Sequence, residues 1–155
     1  MRRFKLDAAQ PEYDASDPEG YRAGMDRIGP RIGATQLGAS VYELPQGQSI
    51  CPYHYEYPEE EWLLILAGRV VVRTPEGEEE MGPMELVCFP QGPSGAHKVT
   101  NREAETARVL MLSTKPQVSV AVYPDSGKML ANTGNPEDRL MARRESGVDY
   151  YNGEV

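Results

Sequence analysis

GQSICPYHYEYPEEEWLLILAGR, residues 47–69, sets His54, Glu56 and Glu61 between two runs that read as β-strands. Side chains two apart on a strand share a face. His54 and Glu56 therefore point the same way as Ile50 and Pro52. Pro58 cannot donate to a ladder and interrupts the first run. A second strand starts at Glu61 and continues Trp62-Leu63-Leu64-Ile65-Leu66. A hairpin or bulge over 57–60 turns Glu61 toward the interior that His54 and Glu56 face.

A second stretch, LVCFPQGPSGAHKVTN at 86–101, carries His97, the other of the chain's two histidines. Together the two stretches resemble the paired motifs of the cupin superfamily. In the first motif Gly47, His54, Glu61 and Gly68 hold the family's glycine, histidine, glutamate and closing glycine, and Glu56 stands in the place of the second histidine. The gap from Gly47 to His54 is one residue longer than the template. In the second motif Pro90, Gly92, His97 and Asn101 match, with two extra residues before His97. Met84 occupies the position of that motif's glycine, and Glu85 a slot often held by aspartate. With Val120–Lys128, VAVYPDSGK, the chain is similar to single-domain bacterial cupins of the cupin 2 conserved-barrel type.

The resemblance implies an all-β chain, a double-stranded β-helix forming a jelly-roll-like barrel, with an N-terminal arm at 1–35, the barrel at 36–124 and a C-terminal extension at 125–155. It also implies ligand roles for His54, Glu56, Glu61 and His97. Imidazole and carboxylate suit a divalent transition metal, Fe, Mn, Ni or Zn, and two histidines with one carboxylate suit non-haem iron and oxygen chemistry. Glu56 is then a fourth ligand or a general base. Without a cation, neighbouring carboxylates repel and one pKa rises. The expected function is a metal-binding, small-molecule enzyme, oxygenase or isomerase/epimerase-like. The alternatives are a non-catalytic small-molecule binder and a dimeric structural module with a vestigial site.

Composition narrows the partners. The 155 residues fit one domain. Fifteen glycines and thirteen prolines, dispersed between apolar runs, favour short strands and turns. A net charge of −8 argues against nucleic acid or anionic membrane as a partner. Two cysteines without a CxxC framework read as reduced thiols of a cytoplasmic protein. The N-terminus has no apolar core of a signal peptide, and the longest apolar run is far too short for a membrane span.

Strands are expected at 36–44, 49–55, 61–67, 70–73, 78–81, 86–89, 97–100, 107–114 and 118–123. The segments 97–100 and 107–114 are expected to pair as a hairpin around 101–105, with Asn101 fixing the turn. The arm is expected to lie against the barrel with one short helix, and 137–145 to form another. On 61–67, Trp62, Leu64 and Leu66 face outward although apolar, so the wall needs a cover. The arm or a second subunit supplies it, and a homodimer is the expected state. Strand parity sends Tyr53, Tyr55, Tyr57 and Cys51 outward. Cys88 reads as buried. Glu59 and Glu60 read as solvated acids, and Lys98 and Arg69 as surface charges.

Overall fold

The structure, a computed structural model, describes residues 1–154. The chain is all-β. Its strands are β1 (Gly24–Arg27), β2 (Leu37–Leu44), β3 (Tyr55–Tyr57), β4 (Glu61–Ala67), β5 (Val70–Thr74), β6 (Gly77–Met81), β7 (Leu86–Phe89), β8 (Lys98–Thr100), β9 (Ala107–Thr114), β10 (Ser119–Tyr123), β11 (Lys128–Asn132) and β12 (Leu140–Arg143). Short 3-10 turns link several of them. One wall is the five-stranded sheet β1-β2-β9-β4-β7. The other is made of β12-β11-β10-β3 and β6-β5-β8. These last two are joined by antiparallel bridges between Ser49 and Thr100 and between His54 and His97. All ladder pairs are antiparallel.

Alternation in β2, β4 and β9 builds two cores on either side of the first sheet. Leu44, Leu63, Ile65, Val109 and Met111 point inward with Val70, Val72, Phe89 and Val99 from the opposite wall. Each such side chain is worth about 1.5–3 kcal/mol when fully buried. Val41, Leu64, Leu66, Leu110 and Leu112 point outward and are covered by Phe4, Leu6, Ala9 and Ile28. The arm is therefore the cover over this part of the wall. The Arg108 guanidinium ties it down by donating to the carbonyls of Leu6 and Ala9. Trp62 and Leu86 remain 41% and 53% exposed, beyond the arm's reach.

Two turns depend on left-handed backbone. Gly68 links β4 to β5 at φ +72°, and a Cβ there would lie 2.8 Å from the Ala107 Cα. Met84 adopts φ 69°, a conformation costly for a residue with a Cβ. This is the position at which the family motif carries glycine. The Gly82 amide donates to the Glu85 carboxylate and closes the same turn.

Several expectations from the sequence are corrected. Between Ser49 and His54 the backbone bends instead of running as a strand, because Pro52 lacks an N–H and the ladder survives only at the two bridges. The 97–100 and 107–114 segments do not form a hairpin: β8 pairs with β5 and β9 with β2 and β4, so the connection crosses between walls. Asn101, fully buried, holds that crossing by donating to the Leu44 and Glu105 carbonyls and accepting from the Glu103 amide. The arm contributes β1, and the 137–145 segment holds β12 in place of a helix, since Leu140–Arg143 completes a ladder on β11. Pro136 and the Asn135 cap end their turn before any helix extends. β7 is an edge strand, so Leu86 and Cys88 are exposed where burial was expected.

Candidate metal centre

The two histidines meet through the backbone. His54 and His97 face each other across an antiparallel bridge, exchanging N–H···O bonds of 3.1 and 2.8 Å. Directly opposed residues on a bridge place their side chains on one face. The ring centroids lie 4.8 Å apart. Glu61 arrives from the opposite wall as the first residue of β4, held between Ser113 and Phe89. Its carboxylate lies 3.4 Å from His97 Nε2 and 3.9 Å from His54 Nε2.

Each ring is oriented by its other nitrogen. His54 Nδ1 is 3.0 Å from the Pro52 carbonyl, and His97 Nδ1 is 2.9 Å from the Gly95 carbonyl. A carbonyl only accepts, so both Nδ1 atoms carry the proton and both Nε2 atoms present a lone pair. The 3-10 turn Pro93–Gly95 places the second carbonyl. A Cβ at Gly95 would lie 1.7 Å from the Pro90 oxygen, so this turn closes only around glycine. Phe89 stacks on His97 at 3.7 Å and 5°, and Tyr123 stacks on His54 at 5.7 Å and 19°.

One ligand atom each from His54, Glu61 and His97 lie within 4.8 Å of one another. His97 Nε2 is buried without a hydrogen-bond partner. An orphaned buried lone pair is costly. Beside a carboxylate and a second imidazole it is the donor geometry of a cation site, in which ligand atoms sit at roughly 2 Å from the ion. These three residues fit a divalent metal. They supply two nitrogens and one oxygen.

Burial governs the charges. It pushes the Glu61 carboxyl up to about 7, with Glu59 adding repulsion. It raises Glu56 well above the usual carboxylate range, with Glu61 and Glu59 contributing. It lowers His97 to about 3, helped by the neighbouring His54, and lowers His54 as well. The metal-free site thus resists both imidazolium and carboxylate charge.

Glu56 lies on β3, opposite Ala121, outside the convergent trio but close enough to Glu61 to feel its charge. Glu59, read from the sequence as solvated, is half-buried and acts on Glu56, Glu61 and His54. Cys51, assigned outward by parity, turns inward where the backbone bends, and its Sγ lies 3.5 Å from His54 Nδ1. Burial raises its thiol pKa, so it is held neutral. Tyr53 is buried under the Arg73 guanidinium, and Tyr55 and Tyr57 pack edge to face. Sequence reasoning missed Tyr42 and Tyr123. Tyr42 shares the inward parity of Leu44, the signal that would have found it.

Residues 40–113 match the family model of the Cupin domain, Cupin_2. No curated protein matches the chain. Among solved structures, a cupin-superfamily sugar phosphate isomerase from Silicibacter pomeroyi superposes with a TM-score of 0.80 at 21% identity, over 97% of this chain and 98% of that one. A protein from Acidithiobacillus ferrooxidans, provisionally described as a sugar phosphate isomerase, gives 0.81 at 21% identity, over 93% and 91%. The polyketide cyclase RemF from Streptomyces resistomycificus gives 0.60 at 22%, over 74% and 79%. At these identities the likeness is one of fold.

Proposed function

Residues 40–113 of this chain are a cupin domain, and from that premise we propose a metal-dependent enzyme acting on a small carbohydrate-like substrate, with isomerase or epimerase chemistry inside the barrel. The observation that carries this reading is the convergence of His54, Glu61 and His97 with both Nε2 lone pairs turned to one point. A divalent transition metal (Fe, Mn, Ni or Zn) held there would act as a Lewis acid on a substrate carbonyl or hydroxyl.

The chain's own residues do the rest. The carbonyls of Pro52 and Gly95 fix the two rings. Phe89 packs against the His97 ring and Tyr123 against the His54 ring. Glu56 is the proposed base. Its raised pKa, caused first by burial, brings it near neutrality, where a carboxyl can both take and return a proton. Isomerisation needs that reversibility, because a proton leaves one carbon and is delivered to its neighbour. The sugar phosphate isomerase named above has the same fold, which supports the class of substrate without fixing it.

The test is exchange in D2O. Metal-loaded protein incubated with a panel of aldoses and ketoses should wash deuterium into the carbon beside the carbonyl, and a chelator should stop it. A two-histidine, one-carboxylate donor set equally favours an oxygenase. Substrate-dependent oxygen consumption without deuterium exchange would select that reading. Ligand retention with neither signal would select a non-catalytic binder. A homodimer and a cytoplasmic location complete the proposal. The exposed apolar stripe of Trp62 and Leu86 on the outer wall supports the dimer, and sedimentation analysis tests it.

A further inference from the structure

A cavity beside the metal centre carries charged side chains that the metal-centre chemistry does not use. Its volume is about 390 Å³, within the roughly 300–1,000 Å³ range of small-molecule sites. Tyr42, Glu59, Arg27, Lys115, Ser40 and Ser113 line it, and Tyr42 feels the charges of both Glu61 and Arg27. The register shows how these residues come together. Arg27 is paired with Ser40, and Ser40 with Met111 of the interior core, so Arg27 belongs to the inward-facing rows at the sheet edge. In the adjoining row Gly38 is paired with Ser113, and Ser113 with Glu61. Lys115 lies over Gly38, whose missing Cβ would come within 3.9 Å of the lysine Cδ and 2.6 Å of Ser113 Oγ. The gap left at Gly38 is part of the cavity's floor.

Arg27 and Lys115 are exposed cations in a chain of net charge −8. Among the described residues neither enters an ion pair, although seven other arginines do. The cavity therefore holds one carboxylate, Glu59, which acts on Glu61 of the metal centre, and two cations without ion-pair partners. A uniformly polar metabolite would not match those charges. A molecule with a neutral, oxygen-rich head and an anionic tail would. From β4 to β1 is three strand spacings, and one row separates Glu61 from Arg27. The backbone gap is thus roughly 15 Å at about 4.8 Å per strand. The arginine's own length and a sugar of ordinary size close it.

We infer that Arg27 and Lys115, with the hydroxyls of Ser40 and Ser113, form a phosphoryl-binding subsite in this cavity, which selects a phosphorylated sugar and directs its other end to His54, Glu61 and His97. Guanidinium supplies a planar fork for phosphate oxygens and ammonium a point charge. The inference rests on the metal-centre reading for its catalytic consequence, but phosphate recognition is measurable without it.

The experiment titrates inorganic phosphate, glucose 6-phosphate and glucose into the full chain by calorimetry, with metal content determined on the same samples. The proteins are the wild type, Arg27→Ala, Lys115→Ala and, as a distant-cation control, Arg102→Ala. The expected result is binding of both phosphates by the wild type, with glucose at least tenfold weaker. Arg27→Ala and Lys115→Ala should each weaken phosphate at least tenfold, leave metal content and melting temperature unchanged, and be unmatched by Arg102→Ala. Phosphate that fails to bind the wild type, or binds the two variants as well as the wild type, overturns the subsite. Absent metal with intact, Arg27-dependent phosphate binding would instead overturn the metal-centre reading and leave the subsite standing.

Discussion

At the scale of single residues, the behaviour of the site is set by groups held away from their ordinary charge. Glu61 is pushed up to about 7 and Glu56 is raised further, both chiefly by burial. A carboxyl whose folded pKa exceeds its unfolded value binds more protons folded than unfolded, so stability falls as pH rises through that interval. His97, lowered to about 3, and His54, lowered as well, work in the opposite direction, but the unfolded histidines are already half deprotonated at roughly pH 6.5, so their opposing effect fades above that value. Between pH 6.5 and 8 the raised carboxylates outweigh the histidines. Metal-free protein should therefore lose on the order of 1 kcal/mol across that window. Urea unfolding at the two pH values measures it, and Glu61→Gln should flatten the slope. A saturating divalent metal should remove it as well, because the ion favours the ionised carboxylate. A stability that rises toward pH 8 in the metal-free protein would contradict this assignment of charge.

At the scale of elements, the turns that aim the strands are under local strain that can be relieved or worsened. Met84 sits at φ 69° and is 78% exposed, so it contributes little packing to offset that backbone. Met84→Gly should stabilise the protein by about 1 kcal/mol, read as a rise in melting temperature. Gly68→Ala should do the reverse by at least as much, since its Cβ would meet the Ala107 backbone. The elements also show what the sequence could disclose. Alternation in 61–67 and 107–114 was strong enough to read both strands to the residue, and the motif glycines and histidines led to the barrel. The bend at residues 50–53 was not legible. Its parity depends on a ladder that Pro52 interrupts, so Cys51 was sent to the wrong face. The partners of β8 and β9 were also hidden, because pairing across two walls is a long-range property that short spacing cannot encode. β11 and β12 were missed for a similar reason: their pattern is weak alone and is stabilised by pairing to β10. Glu59, read as a solvated acid, is half-buried and lies outside the convergent trio, because burial of a loop acid depends on what folds over it.

At the scale of the whole molecule, two features require the complete fold. The first is the cover. Phe4, Leu6 and Ala9 pack on an outer face made of Leu64, Leu66, Leu110 and Leu112. Deleting residues 1–9 should cost roughly 2–4 kcal/mol and increase binding of a hydrophobic dye, while the interior core stays folded. The second is the site itself. His54 stands at an isolated bridge, Glu61 begins β4, and His97 follows the Pro93–Gly95 turn. No two of these neighbour each other in sequence, so the unfolded chain offers no preformed site and metal binding adds to folding stability. The most direct measurement is elemental analysis of protein purified without an affinity tag, alongside His54→Ala and His97→Ala. One equivalent of a transition metal in the wild type, lost in both variants while each remains folded by circular dichroism, is the predicted result. A wild type that takes up no metal when a divalent ion is supplied, or variants that keep a full equivalent, would contradict it.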